Sequence, residues 1–196
     1  MLESLTADSI IEEIWPILNG TFTPEKPVLY FGRAIRGGRE ELENSRKLAI
    51  EADKRFFIIS KHVILDKQYD KDDVFDFEKK WKERFPHINV SQRDRRMIRI
   101  ADCFAADATE ESTGVGGERA YAFHLRKPSI LFQHEKARNR PTMKLYAGRL
   151  IEPTLEDYLK LCNIKTPIHF YNNQNVEEVA REGFDKLSSC FLTTYF

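Results

Sequence analysis

Cysteine is scarce in this chain of 196 residues, and Cys103, Cys162 and Cys190 stand far apart. They form no C-x-x-C motif and have no pair of histidines nearby, so the sequence does not favour a zinc site. We expect reduced, structural thiols, which are typical of a cytoplasmic protein, with the nucleus as an alternative compartment.

Long hydrophobic runs are also missing, since no apolar stretch approaches the roughly 20 residues that a membrane helix needs. The N-terminal segment carries acidic side chains, at Glu3, Asp8, Glu12 and Glu13, where a secretory signal peptide would carry basic ones. We therefore predict a soluble protein that is neither exported nor bound to a membrane.

Neither sign of charge is in excess, because 31 Lys and Arg residues balance 31 Asp and Glu residues. A neutral chain has no overall basic field with which to hold a polyanion, which argues against binding of nucleic-acid polymers. Hydrophobic residues make up 41% of the chain and charged residues 32%, a mixture that can bury a core beneath a solvated surface.

Short apolar runs alternate with amphipathic stretches from residue 28 onward, which is typical of a parallel sheet covered by helices. We predict strands at Val28–Phe31, Phe56–Ile59, Cys103–Ala106, Ser129–Phe132 and Pro167–Tyr171. We predict helices at Gly38–Lys54, Ser91–Ala101, Glu118–Leu125 and Val176–Leu192. The fold class is therefore α/β, with a doubly wound, mainly parallel, five-stranded sheet and helices on both faces.

The length suits one substantial domain, which we place at residues 28–196. Residues 1–27 predict a helical appendage and a linker, because apolar residues recur at helical spacing between Ala7 and Leu18. Residues 66–86 are dense in charge yet contain Trp81 and Phe85. They predict a charged insertion, either helical or acting as a mobile lid.

Polar residues collect where the strands of such a sheet end. The carboxyl ends of the strands and the amino ends of the helices share one edge, and ligands bind there. After the first three strands the sequence places Arg33–Gly38, Ser60–His62 and Asp107–Gly117. Two carboxylates, Asp94 and Glu118, stand at the predicted starts of helices.

Each of these carboxylates heads an apolar stripe, which is unusual for a solvated acid. Each shares its helical face with three apolar residues: Met97, Ile98 and Ala101 for Asp94, and Tyr121, Ala122 and Leu125 for Glu118. Burying an unpaired carboxylate is costly, so such groups are usually paired, perturbed or functional. The alternative is that both merely sit at helix N-termini, where the helix dipole favours them.

Two Gly-rich segments resemble ligand-binding turns. Gly32–Gly38 offers backbone N–H groups, a helix N-terminus and two arginines, which suit a phosphate, although a tight turn with surface arginines would look the same. It lacks the Lys-Ser/Thr pair of a Walker loop and the G-x-G-x-x-G spacing of a dinucleotide site, so ATP hydrolysis and NAD binding are not favoured. The glycines of Ser112–Glu118 fit either a closely approaching ligand or a loop with positive φ angles.

The remaining reactive side chains carry less information. His62 directly follows the second strand, where it would contact a ligand or serve a structural purpose. The other histidines show no mutual spacing. Ser112 and Cys103 lack a nucleophile elbow and a base partner, so acyl transfer is not favoured.

Five segments are distinctive in combination: Tyr30–Glu40, Lys61–Val63, Asp94, Ala101–Asp102 and Ser112–Glu118. In this order they resemble the nucleoside 2-deoxyribosyltransferase superfamily, and most closely its branch of 2′-deoxynucleoside 5′-monophosphate N-glycosidases. The most specific motifs are the Ile-Arg-Gly-Gly-Arg-Glu turn and the Ser-x-Gly-Val-Gly-x-Glu turn. The resemblance covers the chain from about Val28 to Gly148 and implies a flavodoxin-like, or Rossmann-like, fold.

The resemblance implies a catalytic set. Glu118 would attack C1′ of the sugar and form a covalent glycosyl-enzyme, which water then hydrolyses. Asp94 matches a second carboxylic group that assists or positions the leaving group, and Tyr30 matches an aromatic residue beside the sugar. A carboxylate that captures an oxocarbenium-like carbon, assisted by a second carboxyl group, suits glycoside hydrolysis.

The resemblance also implies a binding set, with Ile35 and His62 near the base and Arg36, Gly37, Ser112 and Gly114 around the phosphate. The family usually has Gly-Ser where this chain has Arg33-Ala34, so a cation replaces a hydroxyl at the phosphate. Thr142 and Met143 match a Ser and a Met that the neighbouring subunit contributes, with a one-residue gap in the alignment. A homodimer with a shared site is implied.

We therefore expect hydrolysis of a (2′-deoxy)nucleoside 5′-monophosphate to free base and (deoxy)ribose 5-phosphate, without a metal or organic cofactor. Three alternatives stay open: transfer of deoxyribose to another base, hydrolysis of ribonucleotides such as CMP, and a nucleotide-binding sensor that signals through residues 66–86. Tyr30 beside C2′ favours a deoxy sugar but does not decide the question.

Overall fold

The computed structural model describes residues 26–34, 39–60, 79, 81–110, 112–137 and 166–192. Its elements, in chain order, are β1 (Val28–Arg33), α1 (Arg39–Asp53), β2 (Phe57–Ile58), α2 (Val90–Ile100), β3 (Cys103–Asp107), α3 (Thr113–His124), β4 (Ser129–His134), β5 (Ile168–Tyr171) and α4 (Val176–Leu192). A 3-10 turn, Glu135–Ala137, follows β4. None of the helices in this part of the chain is long and apolar enough to cross a membrane.

The five strands form one sheet in the order β2-β1-β3-β4-β5, and every neighbouring pair is parallel. Along the central pair, Leu29 lies opposite Cys103 and Arg33 lies opposite Asp107. This strand order is that of the flavodoxin-like, doubly wound fold. The predicted fold class is confirmed.

Side chains of each strand alternate between two hydrophobic cores, one on each face of the sheet. Leu29 and Phe31 of β1 pack in the core beneath α1 and α4, which we call the α1/α4 face. Tyr30 packs with Phe104 in the core beneath α2 and α3, the α2/α3 face. Burial on both faces explains why the strands read as short continuous apolar runs.

Strand β2 is shorter than the predicted Phe56–Ile59. The backbone N–H of Phe56 donates to the carbonyl of Ala52, 2.9 Å away, so Phe56 lies in the turn that follows α1. Its ring packs against Phe184 of α4 with the centroids 5.9 Å apart. Phe56 therefore packs in the α1/α4 core, and the strand begins one residue later, at Phe57.

Helix α3 begins at Thr113, whereas the sequence placed its start at Glu118. Ser112 is the N-cap, and its side chain accepts a hydrogen bond from the backbone N–H of Val115. Glycine disfavours a helix by about 1 kcal/mol per residue, but a Ser cap stabilises one by a similar amount, and Val115 is buried. The Gly-rich segment thus forms the first turn of the helix.

The predicted insertion at 66–86 is described only at its C-terminal end, where residues 81–84 are helical. Trp81 is 2% exposed and packs in the α2/α3 core, with its ring centroid 4.7 Å from that of Phe85. This end of the segment is therefore part of the domain core. The predicted appendage lies outside the described residues except for Lys26 and Pro27.

Candidate active site

Strands β1 and β3 are neighbours, but the helices that follow them lie on opposite faces of the sheet. Helix α1, after β1, packs on one face, and α3, after β3, packs on the other. In doubly wound sheets such a switch point opens a crevice at the carboxyl ends of the strands, where ligands bind. On the α2/α3 side of this point the structure brings together Tyr30, Asp94 and Glu118.

Glu118 lies in the second turn of α3 and contacts the backbone of β1. Its Oε2 atom is buried and has no hydrogen-bond partner within the described ranges. A Cβ atom built on Gly32 would lie only 2.7 Å from this oxygen, closer than real Cβ contacts. The missing side chain of Gly32 therefore provides the space that the carboxyl group occupies.

Tyr30 lies on the same face of β1 as Gly32, and it is 4% exposed. Its ring stacks on Phe104 of β3, with the centroids 5.9 Å and the planes 8° apart. Its hydroxyl lies close enough to the Glu118 carboxyl group for a hydrogen-bonding interaction to affect the pKa of both groups. Burial, followed by the charges of Glu118 and Asp94, raises the pKa of Tyr30 well above its ordinary value, so the hydroxyl keeps its proton and donates.

Asp94 lies in the second turn of α2 and forms an ion pair with its neighbour Arg93. The Nε and Nη2 atoms of Arg93 are both 2.9 Å from Oδ1 of Asp94, and Arg93 is 2% exposed. A capping box between Asn89 and Gln92 starts this helix and holds its first turn. Arg93 is not among the residues predicted from the sequence, although its position four residues before the buried Met97 indicates an inward-facing side chain.

The pKa of Glu118 is raised from 4.5 to about 8. Burial is the largest cause and the nearby Asp94 the second, while the Tyr30 hydrogen bond and the Arg93 charge lower it. Neither acid lies in the first turn of its helix, so the helix dipole does not explain their positions. Perturbation of this kind, with a named charge partner, is typical of functional carboxyl groups.

No three His, Cys, Asp or Glu side chains converge as metal ligands would in the described part of the chain. What converges is a pair of carboxyl groups, a tyrosine hydroxyl and a guanidinium. Such a set can exchange a proton and can stabilise a carbon atom that becomes positively charged.

No protein-family model matches the chain. The chain is similar to the "Putative 2′-deoxynucleoside 5′-phosphate N-hydrolase 1" of Thermofilum pendens, with 35% identity over 103 residues, 52% of this chain. That match spans 64% of the relative's own length. It is also similar to the "5-hydroxymethyl-dUMP N-hydrolase" of Danio rerio, with 22% identity over 160 residues, 82% of this chain and 97% of the relative.

Both names fit the deoxyribosyltransferase-like family. The similarity to these two relatives agrees with the resemblance that the sequence motifs carry. The carboxyl pair that the resemblance singled out, Asp94 and Glu118, is the pair that the fold brings into electrostatic contact beside Tyr30.

Arg33, Ser112 and Gly114 are the predicted binding residues that the structure describes. Arg33 ends β1, is 9% exposed and, by strand alternation, lies on the α1/α4 face, opposite to Glu118. The Ser112 hydroxyl accepts from Val115, which leaves its own proton available, and Gly114 is exposed. The other predicted binding residues lie outside the described ranges: Ile35, Arg36, Gly37, His62, Thr142 and Met143.

Proposed function

We propose that this protein hydrolyses the N-glycosidic bond of a 2′-deoxynucleoside 5′-monophosphate, releasing the free base and deoxyribose 5-phosphate. The observation that carries the proposal is the coupled carboxyl pair of Glu118 and Asp94, held between Tyr30 and the buried Arg93. The relatives support it, since both are named N-hydrolases and one is named for a 2′-deoxynucleoside 5′-phosphate. That name also favours the deoxy sugar over the ribonucleotide alternative.

In the first step, an ionised Glu118 attacks C1′ of the sugar, and the bond between C1′ and the base nitrogen breaks. The electron pair of that bond leaves with the base, which takes a proton from a neutral Asp94. The reactive form therefore needs the shared proton on Asp94 rather than on Glu118. The Tyr30 hydrogen bond favours this form, because it lowers the pKa of Glu118. The ion pair between Arg93 and Asp94 opposes it, so in this proposal the bound nucleotide weakens that ion pair before the base leaves.

In the second step, water attacks C1′ of the glycosyl-enzyme and gives a proton to Asp94. The bond between C1′ and the Glu118 oxygen breaks, and Glu118 leaves as a carboxylate. The enzyme returns to its starting protonation, and the sum is one water consumed for each base released. The hydroxyl of Tyr30 holds the Glu118 oxygen in place during both steps.

We further propose that the 5′-phosphate binds at the start of α3. The free proton of the Ser112 hydroxyl and the exposed backbone at Gly114 suit an anion at a helix N-terminus. In this proposal the remaining predicted residues complete the site, with the last two from a second copy of the chain: Arg33, Ile35, Arg36, Gly37, His62, Thr142 and Met143.

The test is chromatography for free base after incubation with deoxynucleoside monophosphates, ribonucleoside monophosphates and unphosphorylated deoxynucleosides. Glu118→Gln is the decisive variant, because an amide resembles the neutral carboxyl group in size and shape but cannot act as the nucleophile. Glu178→Gln, an exposed position in the first turn of α4, is the matched control. We expect base release from deoxynucleoside monophosphates by the wild type and Glu178→Gln, and none by Glu118→Gln.

Full activity of Glu118→Gln would refute the mechanism. Nucleotide binding without any base release would favour the sensor, and conversion of an added acceptor base to a nucleoside would favour the transferase. The covalent step has a separate test, in which the protein is quenched with acid during turnover and its mass is measured. We expect a deoxyribose 5-phosphate adduct on the peptide that contains Glu118, and a quenched enzyme that never carries it would exclude this intermediate.

A further inference from the structure

Another carboxylate, which is buried, lies at the same edge of the sheet, on the face opposite to Glu118. Asp107, the last residue of β3, is 3% exposed. Its Oδ2 accepts from the hydroxyls of Ser45, at 2.5 Å, and Tyr171, at 3.0 Å. Its Oδ1 accepts from the hydroxyl and the backbone N–H of Thr109, at 2.6 and 3.1 Å. We call these four residues the Asp107 cluster.

Both carboxylate oxygens of Asp107 accept hydrogen bonds from other members of the cluster. The hydroxyls of Ser45, Thr109 and Tyr171 all lie within hydrogen-bond distance of the carboxylate. The Thr109 and Tyr171 hydroxyls also lie 3.1 Å apart, and the Thr109 oxygen accepts the backbone N–H of His134 at 2.8 Å. Such a network has little capacity left for a ligand, so its contribution is to hold its members in place.

Two members of the cluster, Ser45 and Thr109, belong to segments that adjoin the proposed phosphate site. Ser45 belongs to α1, the helix that directly follows the Gly-rich segment after β1. Thr109 belongs to the connection between β3 and Ser112, the N-cap of α3. Tyr171 ends β5, two strands away from β3. One carboxylate thus joins the two chain segments on either side of the switch point.

We propose that Asp107 is a positioning residue for the phosphate end of the site, fixing the spacing between the segments that follow β1 and β3. This inference rests on the proposed function. A shift of Ser112 relative to α1 would lower the affinity for the phosphate. Glu118 and Asp94 lie on the other face of the sheet and would keep their contacts.

Asp107→Asn tests the proposal, because the amide is isosteric but turns two protons toward the hydroxyls of its neighbours. The measurements are the Kd of deoxyribose 5-phosphate by calorimetry, and KM and kcat for a deoxynucleoside monophosphate. We expect Kd and KM to rise about tenfold or more while kcat changes less, since the loss of one hydrogen bond to a charged phosphate weakens binding by about that factor. Ile130→Val, a mild change in the core of the same face, should leave the Kd unchanged.

Ser45 provides a second test if Asp107→Asn does not fold. Ser45→Ala removes the link to α1 and should weaken binding of deoxyribose 5-phosphate, and Ser45→Thr, which keeps the hydroxyl, should restore it. A wild-type Kd in folded Asp107→Asn or Ser45→Ala would overturn the inference alone. Ligand binding by the wild type without base release would overturn the proposed function alone, and a wild type that does not bind deoxyribose 5-phosphate would overturn both.

Discussion

The contact between Gly32 and Glu118 leads to a quantitative prediction for Gly32→Ala. The new Cβ atom would lie 2.7 Å from Oε2 of Glu118, whereas ordinary contact begins at 3.4 Å. Its other neighbours, Phe104 and Ala106, lie at 3.6 and 3.7 Å, which ordinary packing tolerates. The fold should therefore survive, while the carboxyl group must move by roughly half an ångström or more.

A displacement of this size acts on the reacting atom itself. Since misplacement of a catalytic group by about 1 Å costs up to about 100-fold in rate, we expect kcat/KM to fall between tenfold and 100-fold. The same variant should unfold at nearly the wild-type urea concentration. The assay is base release from a deoxynucleoside monophosphate, measured with a urea titration of the same sample.

A double-mutant cycle separates this clash from other effects of the added methyl group. Glu118→Asp shortens the side chain by one methylene and leaves room for that methyl group. Gly32→Ala should therefore lower kcat/KM by a much smaller factor in the Glu118→Asp variant than in the wild type. Wild-type kcat/KM for Gly32→Ala, or equal costs in both backgrounds, would refute the argument that Gly32 makes room for the nucleophile.

Three further predictions concern Glu118, Arg93 and Gly183. The pKa of Glu118 is about 8 in the folded chain and 4.5 without the fold, so the folded chain binds this proton more tightly. The resulting contribution to the free energy of unfolding is complete below pH 4.5 and is lost as the pH rises through 8. Glu118→Gln should therefore gain stability relative to the wild type across that range, by at most about 5 kcal/mol, and parallel melting curves would contradict this. Arg93→Met removes a charge that lowers the pKa of Glu118, so the acidic limb of the kcat/KM profile should move to higher pH; an unmoved limb would exclude this role. Gly183→Ala places a Cβ 2.9 Å from the Phe132 ring and should lower the free energy of unfolding by about 1–3 kcal/mol without changing kcat/KM, as urea unfolding and base release would show.

The strands could be predicted because parallel strands buried on both faces are apolar along their length. The predicted Cys103–Ala106 run lies within β3, and the predicted helix Val176–Leu192 is α4. The ends were less accurate, since β3 extends to the polar Asp107, where pairing with Arg33 and hydroxyl donors stabilises the strand. Hydrophobicity alone carries no information about such partners.

The candidate site was predictable to a similar degree. Helical periodicity places Asp94 and Glu118 on buried faces, and both carboxylates are found there. Arg93 was missed because an arginine within a helix is usually solvated, and its burial depends on the carboxylates that surround it.

The order of strands and helices, and the choice of acids that face the core, were determined by the sequence itself, because both depend on patterns within a few turns of chain. The tertiary structure alone decided that β1 lies beside β3, that Gly32 lies against Glu118, and that Asp107 joins α1 to the end of β3. These contacts join residues far apart in the sequence, and they form only when the packing of both faces of the sheet is satisfied together.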